Sequence, residues 1–217
     1  MIHFRNVSKF FKTQQHRKTI LDRVSMDFLP GYSYGLLGVN GAGKSTTLRM
    51  IAGTIIPNSG RITKNVRVSW PLGFSGGFHP MMTGKENLNF VSRAYGEDPR
   101  RVARFVEDFA ELGDYINAPI KTYSSGMGAR LAFALSMAIE FECYLVDEVT
   151  AVGDARFQKR CSDAFAERRK KSDLIMVSHS MSTIKSYCDK GILLVDGGVI
   201  FFDHMEEAVE AYYRLNR

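Results

Sequence analysis

The chain has 217 residues, 45% of them hydrophobic and 24% charged, and a formal net charge of +6 at pH 7. This composition is that of an ordinary globular protein with a sizeable core, and three widely spaced cysteines argue against a disulfide framework and for a reducing cytosol. The opening MIHFRNVSKFFK lacks the apolar centre of a signal peptide, and no apolar stretch reaches the ~20 residues that span a bilayer. The basic charge would suit nucleic acid, anionic lipid or a phosphate-rich ligand, and does not decide among them.

The first third of the chain has strand patterns. MIHFRNVSK alternates apolar and polar residues, VSMDFLPG ends in a Pro-Gly turn, and YSYGLLGV is a compact apolar run. RITKNVRVSW predicts one more strand. We therefore expect a β-rich part at the start of the chain.

Helical patterns begin at Glu86. Asp98 is placed to cap a helix that has Pro99 at its first position, and apolar residues recur at helical spacing from Val102 to Leu112. Further on, the run LAFALSMAIEF follows two serines and a glycine and is apolar nearly all round. It therefore predicts a buried helix.

The last third alternates between strand and helix. The strand patterns FECYLVDE and DLIMVSH are each followed by a helical pattern, and a hairpin around Asp196-Gly197-Gly198 precedes a final helix. Such alternation predicts a parallel α/β core. The β-rich start and a helical insert between residues 86 and 120 are additions to that core.

The segment GVNGAGKST matches the P-loop pattern G-x-x-x-x-G-K-[ST] in full, between a predicted strand and a predicted helix. Its glycines let backbone N–H groups turn toward a polyphosphate, and the helix adds its positive end. Lys44 would reach the β- and γ-phosphates, and the Ser45 hydroxyl would bind Mg²⁺. The predicted ATP-binding residues of this segment are Gly38, Val39, Asn40, Gly41, Ala42, Gly43, Lys44, Ser45 and Thr46.

Two later strand ends supply candidate catalytic groups. YLVDE would deliver Asp147 to Mg²⁺ and Glu148 to the attacking water as a general base. His179 follows the strand DLIMV, at the edge where open α/β sheets bind ligands, and could contact the γ-phosphate. We expect Glu148 and His179 to be catalytic.

The P-loop, the strand ending in Asp-Glu and the segment YSSGM between them together resemble the nucleotide-binding subunits of ABC transporters over nearly the whole chain. YSSGM is similar to the LSGGQ signature of that family, which contacts ATP held by a partner subunit. The resemblance implies two ATP molecules between two copies of the chain, each contacted by Ser124, Ser125, Gly126 and Met127 of the opposite copy.

The fold that the resemblance implies is α/β, a P-loop NTPase core with an N-terminal antiparallel β subdomain and an inserted helical subdomain. It would be one domain over residues 1–217. Residues 1–85 would form the β-rich part with the P-loop, residues 86–140 the helical subdomain with the signature, and residues 141–217 the remaining α/β core.

Three further family positions match residues of this chain. Phe11 stands where the family places an aromatic side chain that stacks on adenine, with Phe10 as the alternative. AVGD occupies the place of a loop that touches the opposite subunit, with Asp154 as its acid. His179 matches the histidine that the family uses as a switch.

Two departures from the family pattern concern the γ-phosphate. The segment LGFSGGFHPMMTGKENL contains no glutamine, although the family normally has one there, and Ser75 is the candidate substitute. The signature has Ser125 in place of a glycine and Met127 in place of a glutamine. Both departures leave the side-chain contacts of these segments open.

The segments GFHPMMTGKEN, YSSGM and DEVTAVGDARFQKRC resemble the family members that export polysaccharides, and most of all the ATPase of capsular polysaccharide exporters. That implies a peripheral subunit on the cytoplasmic face of a bacterial inner membrane, ATP and Mg²⁺ as cofactors, and a second copy of the chain, a separate permease and further envelope export components as partners. The alternatives are export of O-antigen or teichoic acid, a soluble ABC ATPase acting on nucleic acid, and a P-loop kinase. We expect no nucleic-acid partner, because DNA-repair members insert a long coiled coil that this chain lacks.

Overall fold

The computed structural model describes residues 1–12, 16–72, 77–147 and 154–216. Their contacts divide the chain into two compact units. The first comprises Met1–Pro71, Phe141–Glu148 and Ser172–Arg217, and the second comprises Leu72–Glu140 and Val149–Lys171. Neither unit is continuous in sequence.

The first unit holds the two sheets. Its strands are β1 (Ile2–Lys12), β2 (Arg17–Phe28), β3 (Tyr34–Leu37), β4 (Ser59–Lys64), β5 (Val68–Pro71), β6 (Cys143–Asp147), β7 (Asp173–Val177), β8 (Lys190–Val195) and β9 (Gly198–Phe202). Its helices are α1 (Lys44–Ala52), α6 (Met181–Tyr187) and α7 (Met205–Leu215). The helices of the second unit are α2 (Gly84–Ala94), α3 (Pro99–Ala110), α4 (Ser125–Ala138) and α5 (Ala155–Arg169).

Strands β2, β1 and β4 pair in that order as an antiparallel sheet. Ile2 and Phe4 are buried, as the alternating sequence predicts, but the next buried residue is Val7. Asn6 has a φ of 50° and the β1–β2 register shifts between Phe4 and Val7, which marks a β-bulge. The bulge inserts one residue, so Val7 lies on the same face as Phe4.

The second sheet has the order β5-β6-β7-β3-β8-β9, and its first five strands run parallel. Strands β3, β6 and β7 are almost entirely buried, as parallel strands covered on both faces are. Strand β8 returns antiparallel as β9 through Asp196 and Gly197, whose φ values of 46° and 80° fit the predicted hairpin turn. Because β3 lies between β7 and β8, its carboxyl end faces a switch point of the sheet, where ligands bind in open α/β folds.

The segment RITKNVRVSW forms two strands, so the prediction of one strand was wrong. Strand β4 pairs with β1, whereas β5 pairs with β6 in the other sheet. Asn65 donates its backbone N–H to the carbonyl of Met1 at 3.0 Å, and Cys143 donates to the carbonyl of Arg67 at 3.1 Å. The short bend between these two anchors moves the chain from one sheet to the next.

The second unit is helical, and local capping defines its helix starts. At α2 the Glu86 N–H donates to Thr83 Oγ1 at 3.1 Å and the Thr83 N–H donates to Glu86 Oε2 at 2.8 Å, which is a capping box. At α3 the Arg100 N–H donates to Asp98 Oδ1 at 2.9 Å, with Pro99 at the first helical position. The Asp98-Pro99 start predicted from sequence is therefore confirmed.

The buried helix predicted after the serine pair is α4, in which every residue from Leu131 to Ala138 is buried. Phe133 stacks with Phe109 of α3 at 6.0 Å between ring centroids, and the Phe109 ring meets that of Phe157 on α5 edge-on at 5.7 Å. Aromatic packing thus joins three helices of the unit. Over the part of the chain that the structure describes, no helix is long and apolar enough to cross a membrane.

Candidate functional site

The P-loop connects β3 to α1, at the carboxyl end of the central strand. Gly43 caps α1 with a left-handed φ of 104°, and its carbonyl accepts hydrogen bonds from the N–H of Thr47 at 2.8 Å and from Thr47 Oγ1 at 3.0 Å. A Cβ on Gly43 would lie closer than 3.0 Å to Ile20 Cγ2, a separation that real Cβ atoms essentially never show. Both the backbone angle and the neighbouring strand β2 therefore require glycine here.

Lys44 lies folded over its own loop. Its Nζ donates to the carbonyl of Gly38 at 2.6 Å and to the carbonyl of Val39 at 3.1 Å. These bonds hold the ammonium above the loop whose N–H groups would receive phosphate.

Ser45 and Asp147 are 102 positions apart in sequence, yet they meet at the site. Ser45 Oγ donates to Asp147 Oδ1 at 2.9 Å. The contact forms because α1 starts and β6 ends at the same edge of the first unit. It brings together the two residues that the sequence predicts as Mg²⁺ ligands.

A cavity of about 340 Å³ lies over the P-loop, entirely within the first unit. Its lining residues are Phe11, Lys18, Ile20, Asn40, Gly41, Gly43, Lys44, Ser45, Thr46, Asp147, Val177 and His179. The structure thus gathers around one cavity most of the described residues that the sequence predicts to bind or hydrolyse ATP.

Phe11 lines the cavity and is 44% exposed, with Lys9 Nζ 5.0 Å from its ring centroid. Phe10 is not among the lining residues, and the guanidinium of Arg17 covers its ring at 3.9 Å. Adjacent residues of a strand point to opposite faces, so only one of the two can face the nucleotide. The geometry favours Phe11 as the aromatic contact.

His179 reaches the cavity from the end of β7. Val177, the last residue of β7, pairs with Asp147, the last residue of β6. Ser180 then caps α6 by accepting from the N–H of Thr183 at 3.3 Å. His179 therefore follows the strand that neighbours β6, at the same edge of the sheet as Asp147.

The signature segment forms the start of α4 in the second unit. Ser124 caps the helix by accepting from the N–H of Met127 at 3.2 Å, so its hydroxyl already serves the helix. Ser124, Ser125 and Gly126 are exposed, and a Cβ on Gly126 would meet only Ser124 Oγ, at 3.9 Å. The helix presents an open N-terminus.

Asp154 is held within its own unit. Its Oδ1 accepts from the N–H of Phe157 at 2.9 Å and caps α5, while its Oδ2 accepts from Arg130 at 3.0 Å. The pKa of the Asp154 carboxyl is lowered, first by the Phe157 N–H and also by the Arg130 guanidinium. Arg130 lies on α4, six positions after Ser124, so the acid is tied to the signature helix.

A second carboxylate extends this link and was not predicted. Glu111 directly follows α3 and has a left-handed φ of 52°. Its carboxylate forms ion pairs with the guanidinium groups of Arg156 at 3.1 Å and Arg160 at 3.0 Å, and the Arg130 guanidinium lies 3.8 Å away. Its partners are far away in sequence, and no spacing signal connects them.

Two of the predicted site residues are not described: Glu148 and Ser75 lie outside the described ranges, as do Ala151, Val152 and Gly153 of AVGD.

Lys18, Ile20 and Val177 line the cavity but were not predicted. The only sequence signal for the first two is that residues 18 and 20 alternate on one strand and therefore share a face. The alternation predicts that the two side chains point to the same side of the strand, but it does not predict that the P-loop lies on that side.

Comparisons with known proteins identify the family of this chain. A family model described as ABC transporter matches residues 21–151. The chain is 48% identical over 215 residues to the capsule polysaccharide export ATP-binding protein CtrD of Neisseria meningitidis serogroup B, covering 99% of this chain and 100% of that protein. It is 49% identical over 215 residues to the polysialic acid transport ATP-binding protein KpsT of Escherichia coli, covering 98% of both.

Among solved structures, the chain resembles the dimeric post-hydrolysis state of the ATP-binding cassette MJ0796 bound to ADP and Pi. The TM-score is 0.74 at 20% identity, covering 94% of this chain and 98% of that one, which shows the fold. The predicted α/β fold and family are thereby confirmed, and the nucleic-acid ATPase finds no support. The chain belongs to the ABC transporter family and has the fold of its ATP-binding cassette.

Proposed function

We propose that this chain is the ATP-hydrolysing subunit of an ABC transporter that exports polysaccharide, and that the polysaccharide is capsular. The observation that carries the proposal is near 50% identity over almost the full chain to proteins named for capsule polysaccharide export and polysialic acid transport. Export of O-antigen or teichoic acid is the second candidate.

ATP occupies the 340 Å³ cavity in this proposal. The ammonium of Lys44 exchanges the carbonyls of Gly38 and Val39, which it now contacts at 2.6 and 3.1 Å, for oxygens of the β- and γ-phosphates. The exchange is favourable because a charged acceptor forms a stronger hydrogen bond to an ammonium than a neutral carbonyl does. Phe11 supplies the aromatic face for adenine.

Ser45 and Asp147 fit Mg²⁺. A hydroxyl and a carboxylate whose oxygens are 2.9 Å apart are hard oxygen ligands of the kind Mg²⁺ takes together with phosphate oxygens and water. No cluster of three or more His, Cys, Asp or Glu side chains able to hold a metal occurs among the described residues. Two protein oxygens completed by phosphate oxygens are sufficient for this ion, which when bound neutralises phosphate charge.

Hydrolysis in this proposal uses Glu148 to polarise the attacking water and His179 to contact the γ-phosphate. Glu148 directly follows Asp147 at the end of β6, and His179 follows the neighbouring strand β7. A carboxylate can accept a proton from water as a general base. An imidazole can donate to a phosphate oxygen as negative charge develops there.

The second copy of the chain completes the site. Ser125 and Gly126 stand exposed at the N-terminus of α4, which is 14 residues long and offers backbone N–H groups with a positive helix dipole. In the dimer that we propose, these groups contact the γ-phosphate of ATP held by the P-loop of the partner copy. The Arg130–Asp154 ion pair fixes the start of α5 to the same helix.

The remaining partners are a membrane-embedded permease and further envelope export components, with the chain bound peripherally on the cytoplasmic face of the inner membrane. We assign the permease contact to residues 74–87, the segment that precedes the helical insert. Glu86 is engaged in the capping box of α2, and its pKa is lowered by the hydrogen bond from the Thr83 N–H. Lys85 is exposed and outside that box, so its charge can be changed without removing the cap.

Genetic complementation tests the exported glycan. In an encapsulated bacterium from which this gene is deleted, expression of the wild-type chain should restore the surface capsule. Expression of Lys44→Ala should not restore it, although the two proteins should accumulate to equal levels. Intracellular polymer should build up in the Lys44→Ala strain. Restored O-antigen or teichoic acid with unchanged capsule would overturn the assignment to capsule while leaving the ATPase assignment standing.

The ATP-dependent dimer is tested with Glu148→Gln, which keeps the size of the side chain and removes the basic carboxylate. The purified variant should be monomeric without nucleotide and shift toward a dimer with ATP, but not with ADP, at high protein concentration. Ser125→Arg added to it should abolish the shift, because the bulky side chain blocks the closing surface. An ATP-dependent dimer that persists with Ser125→Arg would contradict the role given to the signature segment.

A further inference from the structure

Two alternate side chains of β2, those of Lys18 and Ile20, lie against the P-loop. Ile20 packs against Gly43, where an added Cβ would be closer than 3.0 Å to its Cγ2. Lys18, two residues earlier on the same face, extends to Gly41, another glycine of the loop with a positive φ: an added Cβ on Gly41 would lie 2.7 Å from Lys18 Nζ. The ammonium of Lys18 therefore lies at the surface of the phosphate-binding loop itself.

Among the described residues, no hydrogen bond, ion pair or aromatic contact involves Lys18 Nζ, although the same sheet gives Lys9 a hydrogen bond to the carbonyl of Ile56 at 2.9 Å. Lys18 pairs through the backbone with Phe11, and both line the cavity. One paired position of β1 and β2 thus places an aromatic ring and a cation in the lining of the same cavity.

We propose that Lys18 is a further nucleotide-binding residue, whose ammonium contacts the phosphate chain of ATP in this cavity. The inference rests on the proposed function, namely that the cavity holds ATP. Lys18 reaches the phosphates from β2, whereas Lys44 reaches them from α1, so the two cations approach from different elements. A polyphosphate with several negative charges is the ligand that two converging ammonium groups would select.

The test compares charge removal on the two faces of one strand. Lys18→Gln removes the ammonium over Gly41, and Arg17→Gln removes a cation from the neighbouring residue, whose guanidinium covers Phe10 at 3.9 Å. MgATP, MgADP and AMP affinities are measured by equilibrium dialysis at two salt concentrations. Lys18→Gln should weaken MgATP binding about three- to fivefold, the upper part of the range for an exposed ion pair, and Arg17→Gln less than twofold.

The phosphate contact predicts two further results. Lys18→Gln should weaken MgATP more than AMP, and its MgATP affinity should fall less steeply with added salt than that of the wild type. Lys18→Arg should restore most of the affinity. Equal losses for Lys18→Gln and Arg17→Gln, or equal losses for MgATP and AMP, would overturn the proposal in favour of a general field effect or a contact with the nucleoside.

Lys44→Ala in the same dialysis separates this inference from the proposed function. If Lys44→Ala weakens MgATP binding and Lys18→Gln does not, the cavity holds ATP and only the role of Lys18 is wrong. If neither variant affects binding, the cavity is not the nucleotide site and both fail. Because Lys18 is exposed, its variants should keep the wild-type melting temperature, which verifies that each is folded.

Discussion

Replacing Gly43 by alanine should destabilise the first unit through two separate terms. The backbone at Gly43 has a φ of 104°, which a residue with a Cβ adopts only with strain of about 1–3 kcal/mol. The new Cβ would also come closer than 3.0 Å to Ile20 Cγ2, and Ile20 is only 4% exposed. Overpacking of a buried site adds about 1–3 kcal/mol, so we expect a total loss of about 2–6 kcal/mol in the free energy of unfolding.

Urea denaturation measures this loss, and two other variants separate its terms. Gly31 has a φ of 81° with nothing within 4 Å of an added Cβ, so Gly31→Ala carries the backbone term without the clash. Ile20→Ala removes the clashing methyl group but leaves a cavity, at about 2–5 kcal/mol. The double variant Gly43→Ala/Ile20→Ala should be more stable than the sum of its single changes predicts, by about 1–3 kcal/mol.

Additive losses in the double variant would refute the packing of β2 against the P-loop. The same conclusion would follow if Gly43→Ala and Gly31→Ala caused equal losses. Gly43→Ala should also weaken ATP binding, because the loop must move to admit the methyl group, and Gly31→Ala should leave ATP binding unchanged.

Three other outcomes are expected. His179→Ala should leave ATP binding near that of the wild type and lower kcat at least tenfold, about 1.4 kcal/mol of transition-state stabilisation, in a steady-state phosphate-release assay; equal losses of binding and turnover would make His179 structural. Lys85→Glu should uncouple ATP hydrolysis from export, whereas Lys159→Glu, an exposed change on α5, should not; intact export in the Lys85 variant would contradict the docking surface. Burial raises the pKa values of Cys143 and Cys161 to about 12, so both thiols should stay protonated and unreactive with a thiol reagent at pH 8 until urea unfolds the chain, and rapid native labelling of either would contradict the burial.

The sequence determined the features that depend on neighbouring residues. The P-loop pattern, the capping of α3 by Asp98 with Pro99, and the hairpin at Asp196-Gly197 each need only a few consecutive residues to fix the backbone, and each is found where it was predicted. The sequence also predicted the burial of α4, because a helix that is apolar nearly all round has no polar face that could be exposed to water. Resemblance in short motifs then indicated the family.

The tertiary structure decided which distant residues meet. The order β6-β7-β3 places the end of β6 at the same edge of the sheet as the start of α1, which follows β3, and Ser45 Oγ thereby lies 2.9 Å from Asp147 Oδ1. In the second unit, Glu111, Arg130 and Asp154 meet across three helices, and no periodicity of the sequence connects them.

The same reason explains why the sequence predicted neither the two strands of RITKNVRVSW nor the position of Lys18 beside the P-loop. A strand pattern states which residues share a face, but pairing partners are chosen by competition among all strands of the chain. Strand β4 therefore joined β1 while β5 joined β6, and Lys18 came to rest over Gly41. Local chemistry fixed the parts of this protein, and the packing of non-local strands and helices fixed where those parts meet.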